Sequence, residues 1–219
     1  MYPDNLIRLY PLWERSGIIA RDFSPKNKNG LYTSVTVNNN KFLTGDRAPT
    51  FDGINDFVNN NNLSADIDIN VGTINVWVKP YNISLWSDST HRIIMSIYFD
   101  TNNLIRIHRY TGNNSVRFWY IGDGNNTLTG ETVTPTAGWK MLTLSWNVTG
   151  DGKMHVYENG VEFGTGYTIS HVIASTPTDI YLGSRAGSAW FWSGNIAFAS
   201  IWNRVLTNSE ILYLYRRIT

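Results

Sequence analysis

The sequence predicts an all-β chain: an antiparallel two-sheet β-sandwich of jelly-roll type with one short C-terminal helix. Three observations carry that expectation. Short segments with an apolar residue at every second position recur along the chain, separated by Gly, Asn, Asp and Pro turns. Residues 139–163 hold two strands and two turns with almost nothing left over. A helix signature occurs only at the C-terminus.

In chain order, Leu6, Ile7, Leu9 and Tyr10 mark a first strand, stopped by Pro11, which has no N–H for a ladder. Residues 14–29, with Ser16-Gly17 and Ser24-Pro25, read as a long polar loop. Residues 32–37 alternate as a short strand, and 48–51 and 57–58 flank Asp52-Gly53, a hairpin candidate. Residues 73–80 put Ile74, Val76 and Val78 on one face and Asn75, Trp77 and Lys79 on the other. Apolar groups on both faces mark an interior strand. Segments 92–99, 104–110 and 115–121 form a meander, with turns at Thr101-Asn102-Asn103 and Gly112-Asn113-Asn114; residues 122–126 open a longer loop.

The stretch 139–163 follows. Leu142, Leu144, Trp146 and Val148 alternate with Met141, Thr143 and Ser145. Asp151-Gly152 turns the chain, because Gly accepts the positive φ of a tight hairpin, and Asn159-Gly160 is the strongest hairpin signal present. Residues 179–184 and 195–202 complete the strands. Thr207-Asn208-Ser209-Glu210 is a capping box, after which Ile211, Leu214 and Tyr215 share one helix face. No composition break marks a linker, so residues 1–219 read as one domain, with the first strand near the last.

Composition excludes several functions. Lys and Arg total 18 against 17 Asp and Glu, which leaves no electrostatic footprint for nucleic acid. With no Cys there are no disulfides, thiolate nucleophiles or Cys-based zinc sites. No basic-then-apolar leader is visible, and no apolar run approaches the ~18 residues of a membrane span. Retaining glycosidases need two carboxylates ~5 Å apart, and no Glu-x-Asp-x-Glu pattern supplies them. Glu158 and Glu162 straddle a turn and read as solvated hairpin ends. The four His residues have no HxH or HExxH spacing, and no nucleophile elbow or P-loop occurs. The expectation is a protein that is not an enzyme.

Several stretches together resemble the laminin G-like, concanavalin A-like lectin/glucanase family. They are Leu9-Tyr10-Pro11-Leu12 with Gly17 and Asp22-Phe23-Ser24; the FDGINDFV run from Phe51 to Val58; INVWVKP from Ile74 to Pro80; Trp139; Tyr157-Glu158-Asn159-Gly160; Leu182-Gly183; and Gly194-Asn195-Ile196 through IWNRVLT to Glu210-Ile211. The match covers nearly the whole chain. It implies two curved antiparallel sheets packed face to face and a role in binding glycans or proteins at surfaces. A structural calcium ion is also implied, with Asp22, Asp52 and Asp56 as candidate ligands because hard cations take such oxygens; the plainer reading makes Asp52 and Asp56 Asx-turn residues.

For a glycan, aromatic rings would meet sugar C–H surfaces while Arg, Asn or His fix hydroxyls. One parity of the meander collects Tyr98, Arg106, His108, Arg117 and Trp119, beside Ser96 and Tyr110. That face reads equally as a binding surface or as a polar exterior in which rings shield Arg stems. A second candidate is Trp190, in the loop 185–192, with one or both of Phe191 and Trp192 taken up by the core. The expected function is a non-catalytic, lectin-like binding or display module recognising glycan, extracellular or on a virion surface, as a decoration or adhesion protein. The alternative is a purely structural virion or fibre protein that docks to a capsid, fibre or surface protein, and a third is an accessory module of a glycoside hydrolase. Assembly into a homo-oligomer stays open.

Overall fold

The computed structural model describes residues 4–43, 45, 47–61, 63, 66–111 and 115–218. The chain begins with β1 (Leu6–Tyr10), β2 (Ile19–Ala20), β3 (Gly30–Thr33), β4 (Thr36–Lys41), β5 (Arg47–Asp52), β6 (Phe57–Asn60) and β7 (Val71–Pro80). A 3-10 turn, Ile83–Trp86, leads into β8 (Arg92–Asp100), β9 (Asn103–Arg109), β10 (Ser115–Gly122) and β11 (Asn125–Thr132). Then come β12 (Lys140–Asn147), β13 (Lys153–Glu158), β14 (Val161–Thr168), β15 (Asp179–Leu182), β16 (Ser193–Trp202) and helix α1 (Asn208–Ile218).

These strands form two eight-stranded sheets. One, the β7 sheet, has the order β14-β13-β12-β7-β16-β5-β4, and β1 pairs with the second half of β16. The other, the β9 sheet, has the order β11-β10-β9-β8-β15-β6-β3-β2. All pairs are antiparallel, and the first strand lies against the last, as the sequence suggested. Strand alternation builds the core between the sheets: Ile74, Val76 and Val78 of β7 and Leu142, Leu144 and Trp146 of β12 meet Ile105 and Ile107 of β9 and Phe118 of β10. Each such fully buried side chain contributes roughly 1.5–3 kcal/mol relative to exposure.

Trp77 points the other way. It stacks on Tyr215 of α1 at 5.6 Å, so the helix covers the outer face of the β7 sheet. The capping box forms as expected: the Thr207 hydroxyl accepts from the Glu210 amide at 3.2 Å, and Glu210 accepts from the Thr207 amide at 2.8 Å. Asn159 and Gly160 close the β13–β14 hairpin with φ of 52° and 82°.

Four expectations change. The strand expected over 32–37 is two strands in different sheets, because Ser34 takes a left-handed φ of 59° and ends β3 before β4 begins. Asp52-Gly53 is not a hairpin but the crossing from β5 in one sheet to β6 in the other, and each strand pairs with a distant partner. Asp123 and Gly124, with φ of 51° and 73°, close a tight hairpin, so β11 stands where a loop was expected. Glu158 and Glu162 are not solvated ends, since Glu158 pairs with buried Lys140 and Glu162 with His155. The turn expected at Gly112-Asn113-Asn114 lies outside the described residues. Among those described, no helix is long and apolar enough to cross a membrane.

Candidate binding face

Because Ile105, Ile107, Val116 and Phe118 point into the core, their strand neighbours Arg106, His108, Arg117 and Trp119 point out of the β9 sheet. Register sets them in rows. Trp119 lies across from Arg106, Arg106 from Ser96, and Ser96 from Tyr181. Arg117 lies across from His108, and Tyr98 from Leu104. The predicted residues of β8, β9 and β10 therefore do share one face.

That face is roofed at one end. The loop after β15 folds back so that the Ile93 amide donates to the Trp190 carbonyl at 2.7 Å and the Trp192 amide to the Gly183 carbonyl at 2.8 Å. Trp192 enters the core, where its ring lies 5.9 Å from that of Trp86. Trp190 stays half-buried and lies on His91 (4.8 Å, 26° between planes) and over His108 (6.4 Å, 19°). Its φ is +56°, a conformation costing a non-glycine residue about 1–2 kcal/mol. The contacts of the ring and the backbone bond to Ile93 hold it there.

Three guanidiniums are interleaved with these rings. Arg106 lies 4.1 Å from the Trp119 ring and 5.3 Å from that of Trp190. Arg117 sits 3.1 Å over Tyr110, and Arg185, on the loop, 4.7 Å over Trp190. Arg106 is only 4% exposed and His108 fully covered, whereas Arg117, Trp119, Trp190, Tyr110 and His91 are half-buried and Arg185 is exposed. The open surface is thus made of ring edges and the outer arginines, with Arg106 and His108 as its floor. Tyr98 stands apart, 6.5 Å from Tyr181, which is 6.2 Å from Phe57; these rings continue the face beyond Ser96.

Electrostatics here is one-sided. Burial, and then the charge of Arg185, lower Arg106 to about 9, so it stays cationic at neutral pH. Burial pushes His108 well below the usual imidazole range, helped by Arg106, His91 and Arg117. His91 is lowered by burial and by Arg117, Arg109 and Arg106. Asp179 shares the face, across from Tyr98, but none of the three arginines has a carboxylate within ion-pair distance among the described residues. Arg106 Nε, Arg117 Nε, Trp119 Nε1 and both ring nitrogens of His108 are buried without a hydrogen-bond partner among the described residues. Such an arrangement can hold a ligand, but among the described residues it offers no paired carboxylates for acid–base work.

His91 and Arg185 belong to this site and were missed from the sequence. Both join it through the docking of the 185–192 loop, which no local pattern announces.

The candidate calcium ligands make hydrogen bonds within their own loops and to β1. Asp22, buried, accepts from the Leu9 and Ser24 amides at 2.9 and 2.8 Å through Oδ1, and from the Ser24 hydroxyl and Lys28 amide, both at 2.9 Å, through Oδ2. Asp52 Oδ1 accepts from the Ile54 and Asn55 amides, and Asp56 Oδ2 from the Asp52 amide. Among the described residues no three His, Asp or Glu side chains come together as a metal site. These carboxylates brace their loops, Asp22 through both oxygens and Asp52 and Asp56 through one each.

Two sheets of this topology, with the outer face of one open, define the class. The chain belongs to the concanavalin A-like lectin/glucanases superfamily, whose family model matches residues 51–212. No curated protein sequence matches it. Among solved structures it is similar to the receptor binding domain of botulinum neurotoxin C/D mosaic serotype, at 17% identity and a TM-score of 0.78 over 98% of this chain and 51% of that one. The chain thus spans about half the length of that toxin domain. It is also similar to domain 4 of AbnA, a GH43 extracellular arabinanase from Geobacillus stearothermophilus (19% identity, TM-score 0.68, 96% of this chain and 98% of that one). Trypanosoma rangeli sialidase matches at 15% identity and a TM-score of 0.70, over 98% of this chain and 33% of that one. At these identities the likeness is one of fold.

Proposed function

We propose that the chain is a non-catalytic binding module that takes a glycan on the outer face of the β9 sheet. Trp119 and Trp190 offer ring surfaces to the sugar. Arg106, Arg117 and the more distant Tyr98 supply polar contacts, and His108 supports the rings from below. The observation that carries this reading is Arg106, packed against the Trp119 and Trp190 rings with its Nε unpartnered and no carboxylate at ion-pair distance among the described residues. Rings that pack on a cation at half exposure keep an apolar edge in water, and anchors of this kind dominate contact energy in binding sites. The arabinanase domain of the same fold was solved in complex with arabinotriose, which makes a sugar ligand compatible with such a sandwich.

The test is a glycan array read with the native chain, Trp119→Ala and Trp190→Ala. Binding that falls roughly 30-fold on loss of either ring is expected, the effect of removing an anchor worth about 2 kcal/mol. A blank array, or binding indifferent to both substitutions, would reject the site. Display on the outside of a virion or cell is part of the same proposal, and immunolabelling of intact particles or cells checks it. The second reading, a structural module docking to a capsid or fibre protein, draws on the same half-exposed rings; a blank array with co-purification of one lattice protein would favour it.

A further inference from the structure

We infer that the ligand of this face is an anionic sugar, one carrying a carboxylate or sulfate group, received by Arg106, Arg117 and Arg185. The inference rests on the glycan-binding reading and narrows it.

The chain's other buried cations each meet a carboxylate. Arg8 meets Asp66 at 2.8 Å, Arg109 meets Asp88 at 3.1 Å, and Lys140 pairs with Glu158. This follows from the cost of taking an unpaired charge out of water, several kcal/mol per ion even after relaxation. Arg106 is buried too, yet among the described residues it has no carboxylate beside it: the Trp119 and Trp190 rings pack on it and Arg185 opposes its charge. Stacking on rings offsets part of that cost but neutralises no charge. Arg106 and Arg185 both pack on the Trp190 ring, close enough that each opposes the charge of the other.

A guanidinium laid flat on a ring still presents its N–H edge in plane, the geometry that forks onto a carboxylate or sulfate. Arg117 and Arg185 pack on rings at the half-buried and exposed rim, so an anion arriving from solvent meets them before Arg106. The same rings that would take a neutral sugar thus come with positive charge that a neutral sugar leaves uncompensated. Burial and the neighbouring arginines disfavour the charged forms of His91 and His108.

The experiment is an array of neutral oligosaccharides printed beside their carboxylated and sulfated counterparts, followed by titration calorimetry of the best ligand at rising NaCl. The rim variants Arg117→Gln and Arg185→Gln are used because neither residue is part of the folded core, and Trp119→Ala is read in parallel. The expected result is binding of the acidic members alone, weakened about tenfold by either rim variant and weakened by salt, as charge contacts near a surface are screened. Binding of neutral glycans, lost with Trp119→Ala but unchanged in Arg117→Gln and Arg185→Gln, would overturn the anionic ligand and leave the glycan face standing. Acid binding that ignores Trp119→Ala and both rim variants places the anion elsewhere and overturns the inference. An array blank for every sugar rejects the face and the inference together.

Discussion

Asp66 holds three cations at once: Arg8 at 2.8 Å, Lys28 at 3.0 Å and Lys26 at 3.3 Å. Burial would raise its pKa, but the hydrogen bonds from Arg8, Lys28 and Lys26 outweigh it and hold the carboxyl at about 2. Its contribution to stability is therefore full above the unfolded value of about 4 and is lost as pH falls through about 2. Asp66→Asn leaves Arg8 charged and buried without its carboxylate, and urea unfolding at pH 7 should show a loss of about 3 kcal/mol. An unchanged midpoint would contradict the pairing. His155 is the opposite case. Burial disfavours its charge, yet Glu162 at 2.5 Å and Asp151 at 2.8 Å, one on each ring nitrogen, raise its pKa. That stabilisation is complete below the unfolded value of ~6.5 and fades as pH rises through the higher folded value. An NMR titration should place the His155 midpoint above ~6.5, and in His155→Gln the extra stability on the acid side should vanish; a midpoint below ~6.5 would contradict the clamp. At this scale the sequence was partly legible. Alternation assigned Arg106, His108, Arg117 and Trp119 to one face because strand geometry leaves no choice, but nothing local told that Trp190 would cover two of them.

Individual elements show where local chemistry decides and where it does not. Asn159-Gly160 forms a hairpin because both residues accept positive φ and the flanking strands have each other as partners. Asp52-Gly53 offers similar turn chemistry, yet β5 is taken by β16 and β6 by β15, so the same kind of dipeptide becomes a sheet-to-sheet crossing. Pairing at long range is not written in the dipeptide. Gly72 shows the converse, a residue fixed by its partner: Trp146 lies directly across, and a Cβ on Gly72 would sit 2.2 Å from its ring. Trp146 is buried and cannot swing clear, so Gly72→Ala should destabilise by roughly 1–3 kcal/mol in chemical denaturation, whereas Gly152→Ala, with open space around it, should show only the cost of its positive φ. Thr207→Ala removes the capping hydroxyl and should cost about 1 kcal/mol, read as loss of the α1 contacts to Trp77 first.

The whole molecule has two outer faces, and they are treated differently. The β7 sheet hides its outward Trp77 under α1. The β9 sheet is given a loop instead, and that loop brings a ring and a cation rather than a seal. The two-sheet architecture, the interior place of β7 and the helix were readable because hydrophobic period and capping chemistry are local. The division of strands between sheets was not, since it depends on partners far apart in the chain. Calcium is a further whole-molecule question: with the Asp22 oxygens already bonded to amides and a hydroxyl, chelator should leave the melting temperature unchanged, and a fall of several degrees would contradict that reading.

The placement of the binding face is tested most directly by side-chain NMR of the indole and guanidinium N–H groups while a bound glycan is titrated in. Resonances of Trp119, Trp190, Arg106, Arg117 and Arg185 should move together and saturate at one concentration, with Trp77 and Trp146 unmoved. Shifts that instead gather at the cavity of about 440 Å³ lined by Trp139, Lys140 and Glu158, or on α1, would contradict it.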